Sequence, residues 1–215
     1  MRSEEFIMKE FIKRHRQLIF NIYLAINFTG WAGYNLYQSI IAGKLDYVEI
    51  SFTAQTVLMI ILILIRWEHR GIDKNILNQT IALIAFFSGA AFMGQPASGG
   101  PIAKSLSGII VFIANVIGII TMLNLGRSFG IIIAVRKIKT AGLYSVVRHP
   151  MYGMDILLRI GFIISHLNWF TSLVFIISTA LYVYRAILEE RFLALEPEYR
   201  EYMKQVKYRF IPVVF

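Results

Sequence analysis

"SLSGIIVFIANVIGIITMLNL", residues 105–125, decides the fold. The stretch carries no charged side chain. At about 1.5 Å of rise per residue a helix of this length crosses the ~30 Å hydrocarbon core of a bilayer. Four further blocks read the same way, at about 17–41, 47–66, 76–94 and 153–188. The last is long enough for two helices. "SHLNW" at 165–169 interrupts it, with Asn168 as the turn residue. The expected fold is therefore all-α: a polytopic membrane helical bundle of about six transmembrane segments in one domain spanning 1–215. Its last two segments form a helical hairpin with a shorter first arm.

Composition agrees with the apolar runs. Hydrophobic residues make up 57% of the 215-residue chain and charged ones 16%, against about 25% charged in soluble domains. A net charge of +9 does not point to nucleic acid, because the basic residues flank the apolar runs and no soluble domain is left to dock a duplex. Cysteine is absent, which removes disulfides, thiol nucleophiles, cysteine zinc sites and lipidated cysteines. His15, His69, His149 and His166 lack metal-ligand spacing, and no metal is expected. No phosphate-binding glycine loop, dinucleotide fingerprint or G-x-S-x-G elbow occurs. The first 16 residues contain Glu4, Glu5 and Glu10 and read as an interfacial helix, not as a cleaved leader. Ser3 is its expected cap, with Phe6, Ile7 and Phe11 toward lipid.

Lys and Arg set the orientation. Nineteen of the 22 lie in the N-terminal tail, the 66–75 connection, the 126–150 segment and the 185–209 region. Only Lys44 and Lys104 lie in the opposite connections, and Arg159 falls inside a helix. Both termini are thus expected on the cytoplasmic side of an integral membrane protein. The same rule brings two polar clusters to one face: "GLYSVVRHPMYG" at 142–153 and "EERF" at 189–192, the end of the hairpin's returning arm.

With "LNLGRSFGI" at 123–131 and "EYREYMKQVKYRFIP" at 198–212, these clusters make an ordered set. G-x-Y-x-x-x-R-H-P-x-Y-x-G is followed by a paired glutamate at a helix end, then by Y-x-x-Y and R-F-I-P. The set resembles the isoprenylcysteine carboxyl methyltransferase and phospholipid methyltransferase superfamily of integral membrane methyltransferases, over roughly 120–212. The resemblance implies S-adenosyl-L-methionine as methyl donor, bound at the cytoplasmic helix ends by Gly142, Leu143, Tyr144, Val147, His149, Pro150, Tyr152, Glu189 and Glu190. It implies catalytic roles for Arg148, Glu190 and Glu189, and a lipophilic or lipid-attached acceptor arriving from the membrane lipids. It divides the domain into N-terminal helices (1–123) and a cofactor-binding, catalytic region (124–215).

The residue types suit that chemistry. Arg148 and His149 offer donors to a carboxylate, and Glu189 or Glu190 an acceptor to an amine. Tyr144 and Tyr152 offer aromatic faces to adenine or a sulfonium. Pro150 stiffens the turn, and Gly142 and Gly153 admit close backbone approach. A carboxylate acceptor needs positioning, with Arg148 the candidate; an amine or thiol needs a base, with either glutamate the candidate. All three acceptor types stay open, as do an isoprenoid and a free small thiol. Glu189 has Arg185 one helical turn away as an alternative partner, which favours Glu190 for the site. Asp155 and Arg159 form either a structural pair within the membrane or part of the acceptor site. Asn124, Gly126 and Arg127 either complete the pocket or end a helix, and Arg209 and Pro212 are candidates for a tail that closes over it. Two other functions compete: a membrane reductase using NADPH on a related helical arrangement, and a non-enzymatic lipid-binding protein.

Overall fold

The computed structural model describes residues 2–212; the side chains of residues 1–14 and of Arg16 lie outside that description. The expected Ser3 cap and the Phe6, Ile7 and Phe11 lipid face therefore fall outside the described residues. Seven α-helices and one short β pair follow in order. Helix α1 spans Arg2–Ile41, α2 Tyr47–Ile65, α3 Ile76–Phe87, α4 Pro101–Leu125, α5 Pro150–Ser165, α6 Trp169–Leu193 and α7 Pro197–Gln205. Strand β1 is Gly71–Ile72 and β2 is Ala134–Val135, paired antiparallel with Gly71 opposite Val135.

The all-α membrane bundle read from the sequence is the observed fold. Helices α1 to α6 fall on the six expected segments. By length and composition alone, α2, α4 and α6 can cross a membrane, and the apolar stretch Ile76–Phe92 is shorter. Local chemistry sets the boundaries. Asp46 caps α2 by accepting the Val48 and Glu49 N–H groups at 2.9 and 3.0 Å. Prolines open α4, α5 and α7, where a missing N–H costs nothing. The hairpin turns where expected: Asn168 Oδ1 accepts the Thr171 N–H at 2.9 Å, and Thr171 Oγ1 accepts the Asn168 N–H at 3.0 Å. This capping box fixes a 16-residue arm against a 25-residue one.

Two expectations change. The N-terminal segment is not a separate interfacial helix but the start of the 40-residue α1. No Gly or Pro interrupts the chain before Gly30, so nothing breaks the hydrogen-bond ladder. At roughly 60 Å, α1 is about twice as long as a bilayer core is thick. Helix α5 begins at Pro150, three residues before the apolar run, because proline starts a helix irrespective of hydropathy.

The connections sort to opposite ends. At one end, Ser98 and Gly99 donate their N–H groups to Ser165 O at 2.9 and 3.0 Å, joining the α3–α4 loop to the hairpin turn. At the other, Trp67 N–H donates to Arg127 O at 2.8 Å and β1 pairs with β2. An apolar core of Leu24, Met59, Leu62, Ile63, Met122, Phe129 and Ile131 ties α1, α2 and α4 to the segment after α4. Helices α4 and α5 pack most extensively. A Cβ on Gly161 would lie only 2.9 Å from Val111 Cγ2, so glycine sets their separation.

Candidate functional site

The two polar clusters meet. Arg148 and His149 sit just before α5, and Glu190 lies in the last turn of α6; all three are buried. Arg148 Nε donates to Glu190 Oε1 at 2.6 Å, and His149 Nε2 lies 3.1 Å from the same oxygen. Arg209 Nε donates to Glu190 Oε2 at 2.9 Å. One carboxylate thus gathers three basic groups from two separate chain segments.

The C-terminal tail is part of this assembly. Arg148 Nη1 donates to Val206 O and Lys207 O at 2.8 and 2.7 Å. The Arg148 and His149 N–H groups donate to Tyr208 O and Arg209 O at 2.9 and 2.8 Å. A Cβ on Gly153 would lie 3.1 Å from Phe210 O, so the small residue there admits the tail backbone. The R-H-P segment and the tail therefore hold one another, and Glu190 neutralises the charge that results.

Glu189 has a different neighbourhood. It is half-buried, and its Oε2 accepts the Tyr152 hydroxyl. No other hydrogen bond or ion pair engages it among the described residues. The expected Glu189–Arg185 pair does not form. Arg185 instead donates to Ala82 O at 2.9 Å and Ile131 O at 2.6 Å, and its guanidinium lies 5.0 Å over the Tyr152 ring. It bonds these carbonyls because its side chain, 3% exposed, has no water to turn to. The preference for Glu190 as the freer carboxylate is thereby reversed: both its oxygens are engaged, whereas Glu189 keeps one.

The tyrosines serve the packing. Tyr152 stacks on His149 at 5.2 Å and meets Tyr182 edge-on at 5.4 Å. The Arg185 guanidinium also lies over its ring. Tyr144 is buried, and its carbonyl accepts the Tyr202 hydroxyl at 2.6 Å. Burial first, then nearby Glu189 and Tyr202, raises the Tyr144 pKa well above the usual phenol value. Tyr199 is raised likewise, by burial and then by the charges of Glu190 and Glu189. Its hydroxyl is buried without a hydrogen-bond partner, so it is a protonated donor beside the carboxylates.

The remaining expected residues are placed as follows. Gly142 has φ +63°, and a Cβ there would lie 2.1 Å from Asn124 Oδ1, so the position requires glycine. That oxygen accepts the Leu143 N–H at 2.9 Å. Val147 is buried next to Arg148. Gly126 ends α4 with a positive φ of 54°, and Arg127 Nε donates to Ile65 O at 2.8 Å. Asn124, Gly126 and Arg127 thus end a helix and fasten it. Asp155 and Arg159 pair at 2.6 Å. Arg159 also donates to Ser178 Oγ at 3.1 Å and Ser88 Oγ at 3.0 Å, and lies 4.6 Å over Tyr182. It is fully engaged by protein.

Sequence reasoning missed Tyr182 and the Val206 and Lys207 carbonyls. Ser178, Tyr182, Arg185 and Glu189 recur every three or four residues, a polar stripe along α6 that helical periodicity does reveal. The carbonyls leave no mark in a sequence.

A helical membrane bundle whose returning hairpin brings a glutamate pair onto an Arg-His-Pro turn defines a class of membrane-embedded protein with a polar site at one end. Residues 100–196 match the family model for phospholipid methyltransferase. The match bears out the resemblance carried by the motifs over those residues, and it supports a membrane methyltransferase in general. The match runs from α4 to the residue before α7 and contains both clusters. No curated protein matches the chain.

Proposed function

We propose that the chain transfers a methyl group from S-adenosyl-L-methionine to a lipophilic or lipid-attached acceptor, of the isoprenylcysteine carboxylate or phospholipid amine type, at the cytoplasmic membrane face. The observation that carries this reading is the meeting of Arg148 and His149 with Glu190, inside the segment that matches the methyltransferase family. The donor set suits the cofactor. Glu189 has an unengaged carboxylate oxygen for an ammonium group, and Tyr199 has a buried hydroxyl in need of an acceptor. When bound, the cofactor supplies an electrophilic methyl on a sulfonium that is already a good leaving group.

The protein's work is then alignment and exclusion of water, and alignment alone is worth roughly 7–11 kcal/mol. Glu189 is the residue for the cofactor amine and, with an amine acceptor, the base. Glu190 is the positioning residue: it fixes Arg148 and His149, which fix the tail. The basic residues support the orientation: nineteen of 22 fall in the segments read as one side, which favours a cytoplasmic site and cytoplasmic termini.

Calorimetry with S-adenosylhomocysteine, in detergent and again in lipid, tests the reading. Saturable binding that Glu189→Gln weakens tenfold or more is expected. Folded protein that binds none in either medium overturns it.

A further inference from the structure

Three cations converge on one indole, at the end of the bundle that carries the Arg-His-Pro turn. The Arg127 guanidinium lies 5.2 Å from the centre of the Trp67 ring, and the Lys137 and Lys139 ammonium groups lie 5.8 and 5.6 Å from it. The cluster is open to its surroundings: Arg127 and Lys137 are exposed, and Trp67 and Lys139 are half-buried. The indole follows α2 and the cations follow α4, so the tertiary fold assembles the group.

The backbone that carries these side chains is fixed. Trp67 N–H donates to Arg127 O at 2.8 Å, and Arg127 Nε donates to Ile65 O at 2.8 Å. Gln17 Nε2 donates to Trp67 O at 3.1 Å, and Ser128 Oγ donates to Lys137 O at 2.7 Å. The β1–β2 pair joins the two connections. The charges, by contrast, are unmatched. None of the three cations forms an ion pair among the described residues, and neither lysine ammonium makes a hydrogen bond there. Glu68, next to Trp67, is exposed and forms no ion pair among the described residues either. A ring face holds a cation without neutralising it, so three like charges repel one another around the indole.

The cluster sits at the membrane boundary. Helix α2 is long and apolar enough to cross a bilayer, and it ends at Ile65, two residues before Trp67. Leu64 and Ile65 are exposed at that end. A tryptophan just beyond a spanning helix marks the level of the lipid headgroups. The cations therefore stand where phospholipid phosphates lie.

We propose that Arg127, Lys137 and Lys139, gathered around Trp67, bind the phosphate of an anionic membrane phospholipid. The phosphate supplies the missing negative charge and several acceptor oxygens. An anionic headgroup fits better than a zwitterionic one, whose own cation already compensates its phosphate. A free phosphate shares this chemistry, but the exposed apolar end of α2 beside the cluster favours a lipid. The bound lipid needs no amine, carboxylate or thiol to be methylated, so the site stands apart from the methyl-transfer reading.

The test uses the full chain with Trp31→Phe and Trp169→Phe, which leaves Trp67 as its single tryptophan. The protein is placed in phosphatidylcholine vesicles, and Trp67 fluorescence is quenched by phosphatidylglycerol with brominated acyl chains or, separately, by phosphatidylcholine brominated in the same way. Phosphatidylglycerol is expected to quench at the lower mole fraction. Lys137→Gln with Lys139→Gln is expected to weaken that preference roughly twentyfold, about fivefold for each basic residue at a membrane surface. Lys74→Gln, an exposed lysine outside the cluster, is expected to leave it unchanged. Equal quenching by the two brominated lipids overturns the proposal. So does a loss from Lys74→Gln as large as that from the lysine pair, which shows only diffuse attraction to a basic surface. Displacement of brominated phosphatidylglycerol by an equal concentration of inorganic phosphate overturns it as well, by assigning the site to a free anion. Should the single-tryptophan chain fail to fold, native mass spectrometry of the parent decides. The parent is then expected to retain phosphatidylglycerol over phosphatidylcholine and the lysine-pair variant to lose that selectivity; the same selectivity in both overturns the proposal.

Discussion

Glu190→Gln puts the assembly of Arg148, His149 and Arg209 under the most direct strain. The carboxylate is 5% exposed and is the acceptor for Arg148, His149 and Arg209 at 2.6, 3.1 and 2.9 Å. Removing one partner of a buried ion pair costs about 3–5 kcal/mol, mainly because the other charge is left uncompensated. Gln keeps one acceptor oxygen, and the Arg209 side chain is 30% exposed and partly served by water. The lower end, about 3 kcal/mol, is therefore expected, a change of roughly a hundredfold in the unfolding equilibrium. Reversible unfolding in mixed micelles, followed by tryptophan fluorescence, measures it. A cycle with Arg148→Gln isolates the pair: the double variant should be less destabilised than the summed singles by about 1–3 kcal/mol. Tryptic cleavage at Lys207 and Arg209 should accelerate in either single variant, because Arg148 also holds the Val206 and Lys207 carbonyls. A Glu190→Gln cost below about 0.5 kcal/mol, or additive singles, would refute the view that this network fastens the tail.

Three further outcomes are expected. The chain has no cysteine, so Ala141→Cys and Ala97→Cys, at exposed positions on opposite ends, can be labelled singly in oriented cells; an impermeant maleimide should reach position 97 from outside and position 141 only after lysis. Gly142→Ala should destabilise by at least about 1–2 kcal/mol from its φ of +63° alone, and Asn124→Ala should relieve only the steric part; a melting curve matching the parent would contradict this. Asp155→Asn should lower stability by leaving Arg159 short of its counter-charge while the ranking of methyl acceptors in a radiolabel assay stays the same; a changed ranking would move Asp155 into the acceptor site.

Much of the polar end was legible. The basic flanks put 142–153 and 189–192 on one face, and the structure joins them through Arg148, His149 and Glu190. What was illegible was how each group is spent. Glu189 and Arg185 have ideal spacing for a helix pair, yet Arg185 turns to the Ala82 and Ile131 carbonyls. Helical spacing counts neighbours on one element, whereas a buried guanidinium answers to every acceptor around it. The β1–β2 pair also left no trace, since two residues per strand are too few for an alternating pattern.

The sequence by itself determined the class of fold, because ~20-residue runs without charge have no folded alternative as economical as a membrane-spanning helix. It determined the hairpin through Asn168 and the gathering of basic loops at one end through its Lys and Arg. Only the tertiary structure decided that Glu190 is saturated while Glu189 keeps a free oxygen, that the C-terminal tail is bound to the Arg-His-Pro turn, and that Arg136 stands buried without an acceptor. Those outcomes depend on which carbonyls and carboxylates lie within about 3 Å of a donor after packing, and no one-dimensional pattern contains that information.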